Sequence, residues 1–347
     1  MSIFKSNKWN MMTFFKNELK KMAFQRKNVS GFSVLTSSRK QSSTSNSSSI
    51  IRCRKIAEDV NLQVKRKINE KVMRGGKRPV LNLIICESQP VARAYGKLIL
   101  KNCHNVGIQT SVRCINPSTT TKDLHDVLVK IGYDNYIDAS LIVFPIHKSI
   151  LLDQIHIGLD LNKDVDGLNV SYRKSMWGNN SYIPSKVAAA LEILRYISFN
   201  IFNKTTVLHG KTKNLKVLKN LIALSNYQNT DINGNTIVIE TNPETPNEAL
   251  RSIVLDADIL ITECGVPKYF KGDMVKKGCY IIDLSSNHKV DHKGKTYVVG
   301  DVDIASVKGV AAGVTPVPNG IGPLSIAMLC KHTLMASNFN LENKSFF

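Results

Sequence analysis

The chain has 347 residues, of which 43% are hydrophobic and 21% charged, a composition typical of a folded protein with room for two domains and a tail. No window approaches the ~18 consecutive apolar residues of a membrane span. The seven scattered cysteines form no CxxC pair, which argues against a zinc site or a disulfide framework and fits a reducing compartment.

The net charge is +20, of which +12 lies beyond residue 50, so the body of the chain is itself basic. This charge indicates either a solvated surface or attraction to an anionic ligand such as a nucleotide. Since no basic motif is interleaved with aromatic residues, we expect no nucleic-acid partner.

The first 50 residues are basic, contain Glu18 as their only acid and end in a Ser-rich stretch at 42–49. These properties match a mitochondrial presequence, although Lys outnumbers Arg. The alternative is a disordered basic tail. We therefore expect location in the mitochondrial matrix, with the cytoplasm as the alternative, and we exclude residues 1–50 from the fold.

After this segment, helical and strand patterns alternate. Helices are predicted at 56–72, 91–106 and 121–132, and strands at 79–85, 111–115 and 139–144. In a second series, a helix opens at Pro184, strands follow at 205–208, 236–239, 259–261 and 280–282, and a last helix begins after Gly322-Pro323. Strands that alternate with helices predict βαβ units and parallel sheets, and hence an α/β fold.

The most specific motif is the loop Thr315-Pro316-Val317-Pro318-Asn319-Gly320-Ile321-Gly322-Pro323. Its prolines make it rigid, and its glycines leave backbone N–H groups open to a polar ligand. The loop resembles the Pro-Gly-Gly-Val-Gly-Pro signature of the methylenetetrahydrofolate dehydrogenase/cyclohydrolase family, with Asn319 in place of a Gly, which suggests some relaxation of the loop. The resemblance implies that folate contacts the loop through these residues: Pro316, Pro318, Gly320, Gly322 and Pro323.

The resemblance covers about residues 52–336 and is strongest from Asp256 to Leu334. It implies a folate-type α/β catalytic domain at 51–185, completed by 314–340, and a Rossmann-like NAD(P)-binding domain at 186–313. It also implies oxidation of 5,10-methylenetetrahydrofolate with NAD or NADP as cofactor, hydrolysis to 10-formyltetrahydrofolate, and a homodimer.

A second matching segment is Lys163-Asp164-Val165-Asp166-Gly167. In the family an aspartate here is expected to hold the pterin, because a carboxylate accepts two parallel hydrogen bonds from a ring N–H and an exocyclic amine. Asp166 is our candidate and Asp164 the second choice. From the motif alone, a polar turn is an equal alternative.

The predicted catalytic helix departs from the family pattern. The family places a Tyr and a proton-handling Lys at positions i and i+4, and these align with Tyr95 and Ile99. An isoleucine cannot transfer a proton. Lys97 and Lys101 lie two residues away on either side, about 200° around the helix, and should point elsewhere.

The family also supplies a Gln from a neighbouring strand, and Val143 stands at that position. A buried Gln without its Lys would be an unsatisfied polar group, whereas Ile99 and Val143 can pack together. The paired replacement therefore indicates apolar repacking of a disused site.

The predicted cofactor loop retains Gly210, with Lys211 and Thr212 as conservative relatives of the family's Arg and Ser. A second Gly becomes Lys216 and a Pro becomes Leu218, and Glu240 would repel a 2′-phosphate. These departures argue against intact NAD(P) binding. Alternatively, Lys211, Lys213 and Lys216 form a phosphate-attracting patch, although such runs are usually solvated.

We therefore expect a divergent member of the family, which is a pseudoenzyme if no activity remains. Its cyclohydrolase activity is lost, its dehydrogenase activity is weak or absent, and folate is held by Tyr95, Asp166 and the Pro-rich loop. The alternative is a non-enzymatic regulatory or structural protein, including a heterodimer partner of an active paralogue. A third possibility is a working dehydrogenase with rearranged residues. No metal ligand set is predicted.

Overall fold

The computed structural model describes residues 49–344, apart from 152–153, 156–157, 169–181, 202, 228–235, 293 and 295. Residues 1–48, which hold almost all of the predicted targeting segment, lie outside the described part. The chain forms two compact units. The six-stranded unit comprises residues 49–53 and 190–321, and the three-stranded unit comprises 54–189 and 322–344.

The three-stranded unit alternates helices and strands: α1 (Cys53–Met73), β2 (Val80–Cys86), α2 (Pro90–Val106), β3 (Gln109–Ile115), α3 (Thr121–Tyr133) and β4 (Ala139–Val143). The strands are parallel in the order β3-β2-β4. On one face of the sheet, Ile84 and Ile142 pack against Leu124 and Leu128 of α3. On the other face, Ile85 contacts Gly96 of α2.

Local signals fix the ends of the two helices that cover this sheet. Helix α2 begins with Pro90, whose missing N–H is not needed in a first turn, and ends at Gly107, whose φ of 90° favours glycine. Helix α3 begins with a capping box, in which Thr120 and Asp123 each bond the other's backbone N–H. The start and the direction of both helices are therefore encoded locally.

The six-stranded unit contains the strands β1 (Ser49–Ile50), β5 (Thr205–His209), β6 (Ile237–Thr241), β7 (Ile259–Thr262), β8 (Tyr280–Asp283) and β11 (Gly313–Val314). They are parallel in the order β1-β11-β8-β7-β5-β6. A separate hairpin pairs β9 (Asn287–Val290) with β10 (Thr296–Val299). The remaining helices are α4 (Ser185–Tyr196), α5 (Lys213–Tyr227), α6 (Asn247–Leu255), α7 (Ile304–Val307) and α8 (Ile321–Lys344).

The predicted α/β class with parallel sheets is confirmed, and each predicted strand is present within a few residues. Three details differ. Residues 49–50, assigned to the targeting segment, form β1 because they pair with β11. Helix α5 begins at Lys213, inside the stretch predicted as a loop. Helix α8 begins at Ile321, so Pro323 lies within its first turn, where backbone N–H groups have no helical acceptor.

Within the described residues, no helix has both the length and the apolarity that crossing a membrane requires.

Candidate functional site

The three-stranded unit brings Tyr95 and Asp166 together. Tyr95 is half-buried on α2, and Asp166 is half-buried with its Oδ1 accepting a hydrogen bond of 2.7 Å from the backbone N–H of Ser185, at the start of α4. Burial raises the pKa of the Tyr95 phenol, and the negative charge of Asp166 raises it further. The phenol therefore stays neutral and can both donate and accept beside a carboxylate.

The second-choice aspartate lies in a different environment. Asp164 is 2% exposed and its backbone forms a bridge with Ser140 of β4, so it belongs to the interior of the unit. Asp166 is the more accessible of the two and is placed at a helix N-terminus, where a carboxylate is stabilised.

Ile99 and Val143 are both removed from water. Ile99 is 0% exposed and Val143 is 1% exposed. Val143 is the register partner of Ile85 on β2, and Ile85 in turn contacts Gly96, one helical turn before Ile99. Both residues thus lie in the apolar layer between α2 and the sheet, and neither can move a proton.

The lysines that flank Ile99 face solvent. Lys97 and Lys101 are exposed, as is Leu98 between them. The 3.6-residue period explains the difference, because a helix that buries position 99 against the sheet turns positions 97 and 101 outward.

The structure adds His332, which the sequence did not single out. Its Nδ1 lies 2.9 Å from the backbone oxygen of Val165, the residue before Asp166, and must donate to it. Burial lowers the pKa of His332 to about 4, so the ring is neutral, and its centroid lies 5.6 Å from that of Tyr182. His332 therefore positions the Asp166 segment. A lone helical histidine carries no sequence signal for this role.

Residues 315–321 of the Pro-rich loop belong to the six-stranded unit, and Gly322 and Pro323 belong to the three-stranded unit. A Cβ built on Gly320 would lie 2.0 Å from the backbone oxygen of Pro316, so this turn requires glycine. Asn319 has a φ of 70°, a left-handed conformation that asparagine tolerates better than most residues. Asn319 thus keeps a backbone conformation that suits glycine, and the expected relaxation of the loop stays a prediction. Pro318 is exposed, whereas Pro316, Gly322 and Pro323 are half-buried.

The predicted cofactor loop follows β5, which pairs with both β6 and β7 and is therefore the point where the strand order switches. Open α/β sheets bind ligands at the carboxyl ends of such strands. Gly210 begins the loop with a φ of 143°, and a Cβ there would lie 2.4 Å from the backbone oxygen of Glu263. The predicted cofactor loop and the carboxyl end of β7 are thus in direct contact.

Glu263, immediately after β7, was not singled out from the sequence. Its carboxylate accepts a hydrogen bond of 2.5 Å from Thr212 Oγ1 and bonds of 3.1 and 3.2 Å from Asn214 Nδ2. Thr212 and Asn214 lie at the start of α5. Their side-chain donors there bind the Glu263 carboxylate. The available signal was an acidic residue directly after a buried apolar strand.

Two of the lysines near this loop form ion pairs within the unit. Lys211 binds Glu244, and Lys219 lies 2.6 Å from Glu240. Lys216, which replaces a Gly of the family's cofactor loop, is exposed on α5. Leu218, on the same helix, is fully buried and belongs to the core of the unit.

Two buried acids lie at the ends of β8 and β10. Asp301 accepts hydrogen bonds from Thr262, Cys264, Ser285 and Asn287, which lower its pKa despite burial. Burial and this neighbouring charge raise the pKa of Asp283 to about 7. Asp283 accepts hydrogen bonds from the backbone N–H groups of Ser285 and Val302, so both acids bind groups of the unit itself. In the described ranges, no group of three His, Cys, Asp or Glu residues is arranged to hold a metal ion.

Comparison with known proteins fits both units. The family model "tetrahydrofolate dehydrogenase/cyclohydrolase, catalytic domain" matches residues 51–166, and the model of the family's NAD(P)-binding domain matches 184–341. The human mitochondrial bifunctional methylenetetrahydrofolate dehydrogenase/cyclohydrolase 2 is 30% identical over 290 residues, which is 83% of this chain and 84% of the human protein. The chain belongs to the tetrahydrofolate dehydrogenase/cyclohydrolase family.

Other members of the tetrahydrofolate dehydrogenase/cyclohydrolase family agree. The bifunctional protein FolD of Acetivibrio thermocellus is 28% identical over 84% of this chain and 95% of its own length. The 5,10-methylenetetrahydrofolate dehydrogenase of the silkworm Bombyx mori superposes with a TM-score of 0.75 at 25% identity, covering 85% of this chain and 99% of the silkworm chain. The Trypanosoma brucei enzyme, solved with NADP and an inhibitor, gives 0.77 at 23% identity, covering 85% and 99%. Membership of the family, expected from the Pro-rich loop, is confirmed.

Proposed function

We propose that this chain is a folate-binding member of its family that has lost the cyclohydrolase step and has weak or absent dehydrogenase activity. The observation that carries the proposal is the burial of Ile99 and Val143 in the layer between α2 and the sheet. Cyclohydrolase chemistry needs a group that moves a proton, and aliphatic side chains supply none.

Folate binding is supported by the pairing of Tyr95 with Asp166. The Asp166 carboxylate is fixed by Ser185, and the segment that carries it is tied to His332. A pterin could donate two parallel hydrogen bonds to this carboxylate. Tyr95 would pack on the folate and orient it.

The residues at the carboxyl ends of β5 and β7 do not fit an anionic dinucleotide. The donors of Thr212 and Asn214 bind a carboxylate, and Lys211 and Lys219 bind Glu244 and Glu240. Neither NAD nor NADP therefore has a fitting phosphate site among these residues.

The test is calorimetric titration of the full chain with tetrahydrofolate, NAD+ and NADP+, together with an assay of methylenetetrahydrofolate oxidation. We expect folate to bind and neither cofactor to do so. Turnover with either cofactor at a rate close to that of an active family member would contradict the proposal. Failure to bind any of the three ligands would instead favour the non-enzymatic alternative.

A pair of variants assigns the folate contact. Asp166→Asn retains an oxygen for Ser185 but loses the charge and the second acceptor, and it should weaken tetrahydrofolate binding by about tenfold or more. Asp126→Asn, on the exposed surface of α3, removes the same charge and should leave binding unchanged. Equal affinities in both variants would remove Asp166 from the site.

A second experiment restores the family's polar pair. The double substitution Ile99→Lys with Val143→Gln should not restore turnover, because the cofactor residues remain unfavourable. Activity in this variant would show that the cofactor reasoning is wrong.

We also propose a mitochondrial location and a dimer, either of two copies or with a paralogue. Relatives such as the human and mouse proteins are mitochondrial isoforms, whereas others are bacterial FolD proteins. Import of residues 1–50 fused to a fluorescent protein tests the location, and light scattering of the purified chain tests the dimer. A fusion protein that stays in the cytoplasm would contradict the mitochondrial location. A monomeric mass would contradict the dimer.

A further inference from the structure

A carboxylate side chain of the protein lies at the point where the strand order of the six-stranded sheet switches. Glu263 follows β7 and reaches the start of α5, where Thr212 and Asn214 donate to its carboxylate. The N-terminal end of a helix, with its unpaired N–H groups and positive dipole end, is the usual place for a bound phosphate. A carboxylate therefore occupies the chemical environment that a phosphate would need.

The loop and the end of β7 approach each other closely through their main chains. A Cβ built on Gly210 would lie 2.4 Å from the backbone oxygen of Glu263 and 2.8 Å from its carbonyl carbon, so the two segments are in van der Waals contact. The Leu215 side chain closes the same position at 2.9 Å. An incoming phosphate would have to displace the Glu263 carboxylate or lie beside it.

We propose that Glu263 is a specificity-determining residue that excludes anionic dinucleotides from the six-stranded unit by serving as their internal substitute. This inference rests on the proposed function and names the residue responsible for its loss of cofactor binding. Lys216 and Leu218, the substitutions visible in the sequence, are secondary, since one faces solvent and the other is buried in the core.

The size of the effect follows from the charge. A phosphate would lie within a few ångströms of the half-buried Glu263 carboxylate and would compete for the same donors. Its affinity should therefore be roughly 100-fold lower than it would be without that carboxylate. Removing the carboxylate should recover most of that factor for NAD+, NADP+ and inorganic pyrophosphate alike, because all three present the same phosphate chemistry.

The experiment compares the full chain with Glu263→Ala, Glu263→Gln and a matched control by calorimetric titration with the three ligands. Glu263→Gln keeps an oxygen acceptor for Thr212 and loses the charge. The control, Asp256→Ala, removes one exposed negative charge at the opposite end of the same strand, just before β7. Thermal unfolding of each variant checks that it folds.

We expect no saturable binding to the wild-type chain up to about 1 mM, a gain of roughly 100-fold in both Glu263 variants, and no gain in Asp256→Ala. If the wild-type chain does not bind and neither Glu263 variant gains affinity, this inference fails and the proposed loss of cofactor binding stands. A gain in Glu263→Ala alone would refute the electrostatic reason. Micromolar binding by the wild-type chain would overturn the inference and the proposed loss together.

Discussion

Replacing Ile99 with lysine tests whether packing closes off from water the position where the family resemblance predicts a catalytic Lys. Ile99 is 0% exposed, and the strand face beside it carries Val143 and Ile85, which are 1% and 7% exposed. A lysine of similar volume would place its ammonium group in this apolar layer. The expected result is a large loss of stability that depends on pH.

The magnitude follows from the cost of keeping the lysine neutral. Buried lysines have a pKa as low as about 5–6, whereas the unfolded value is about 10.4. At pH 7 the neutral form therefore costs about 4–5 kcal/mol, at 1.36 kcal/mol per pH unit. At pH 9 the cost falls to about 2 kcal/mol. The sign follows because the unfolded state binds the extra proton in this range, so the variant gains stability as pH rises toward 10.4.

The assay is urea unfolding followed by far-ultraviolet circular dichroism at pH 7 and pH 9, for wild type, Ile99→Lys and the volume control Ile99→Met. The methionine variant should lose less than about 1.5 kcal/mol, equally at both pH values. The lysine variant should lose about 2–3 kcal/mol more at pH 7 than at pH 9. A loss below about 1 kcal/mol that does not change with pH would mean that position 99 reaches water, and the packed-site interpretation would be refuted.

Three further predictions concern stability. Gly320→Ala should lose several kcal/mol, about 3 or more, in urea unfolding because its Cβ would meet the Pro316 oxygen, whereas Gly322→Ala, with nothing within 4 Å, should be neutral; equal losses would contradict the loop geometry. Gly210→Ala should lower the melting temperature far more than Gly278→Ala, since both have positive φ but only Gly210 faces backbone; similar shifts would oppose this. The folded-state pKa of His332 is depressed to about 4, so its contribution to the free energy of unfolding is present above pH 6.5 and is lost as pH falls through 4. His332→Asn should therefore reduce the slope of unfolding free energy against pH in this range by about 1.4 kcal/mol per pH unit. An unchanged slope would contradict this prediction.

Much of the fold follows from local patterns in the sequence. The alternation of apolar strands with capped helices, closed at Gly107 and opened at Pro90 and Thr120, predicts parallel βαβ units. The Pro-rich loop identifies the family because its residues are adjacent in the chain. The predicted replacement of Lys and Gln by Ile99 and Val143 also needs no coordinates, since it follows from aligning the helix of Tyr95 and the strand of Val143 with the family pattern.

Tertiary structure decided the relations that span long sequence separations. Glu263 lies 51 residues from Thr212, and His332 lies 167 residues from Val165. No local pattern encodes such contacts, because sheet order and helix packing bring the partners together. The sequence alone therefore indicated the family and the α/β class, and it predicted that Ile99 and Val143 replace the family's proton-handling pair. The folded structure alone identified the carboxylate at the switch point and the buried histidine behind Asp166, because each depends on which strand or helix becomes its neighbour.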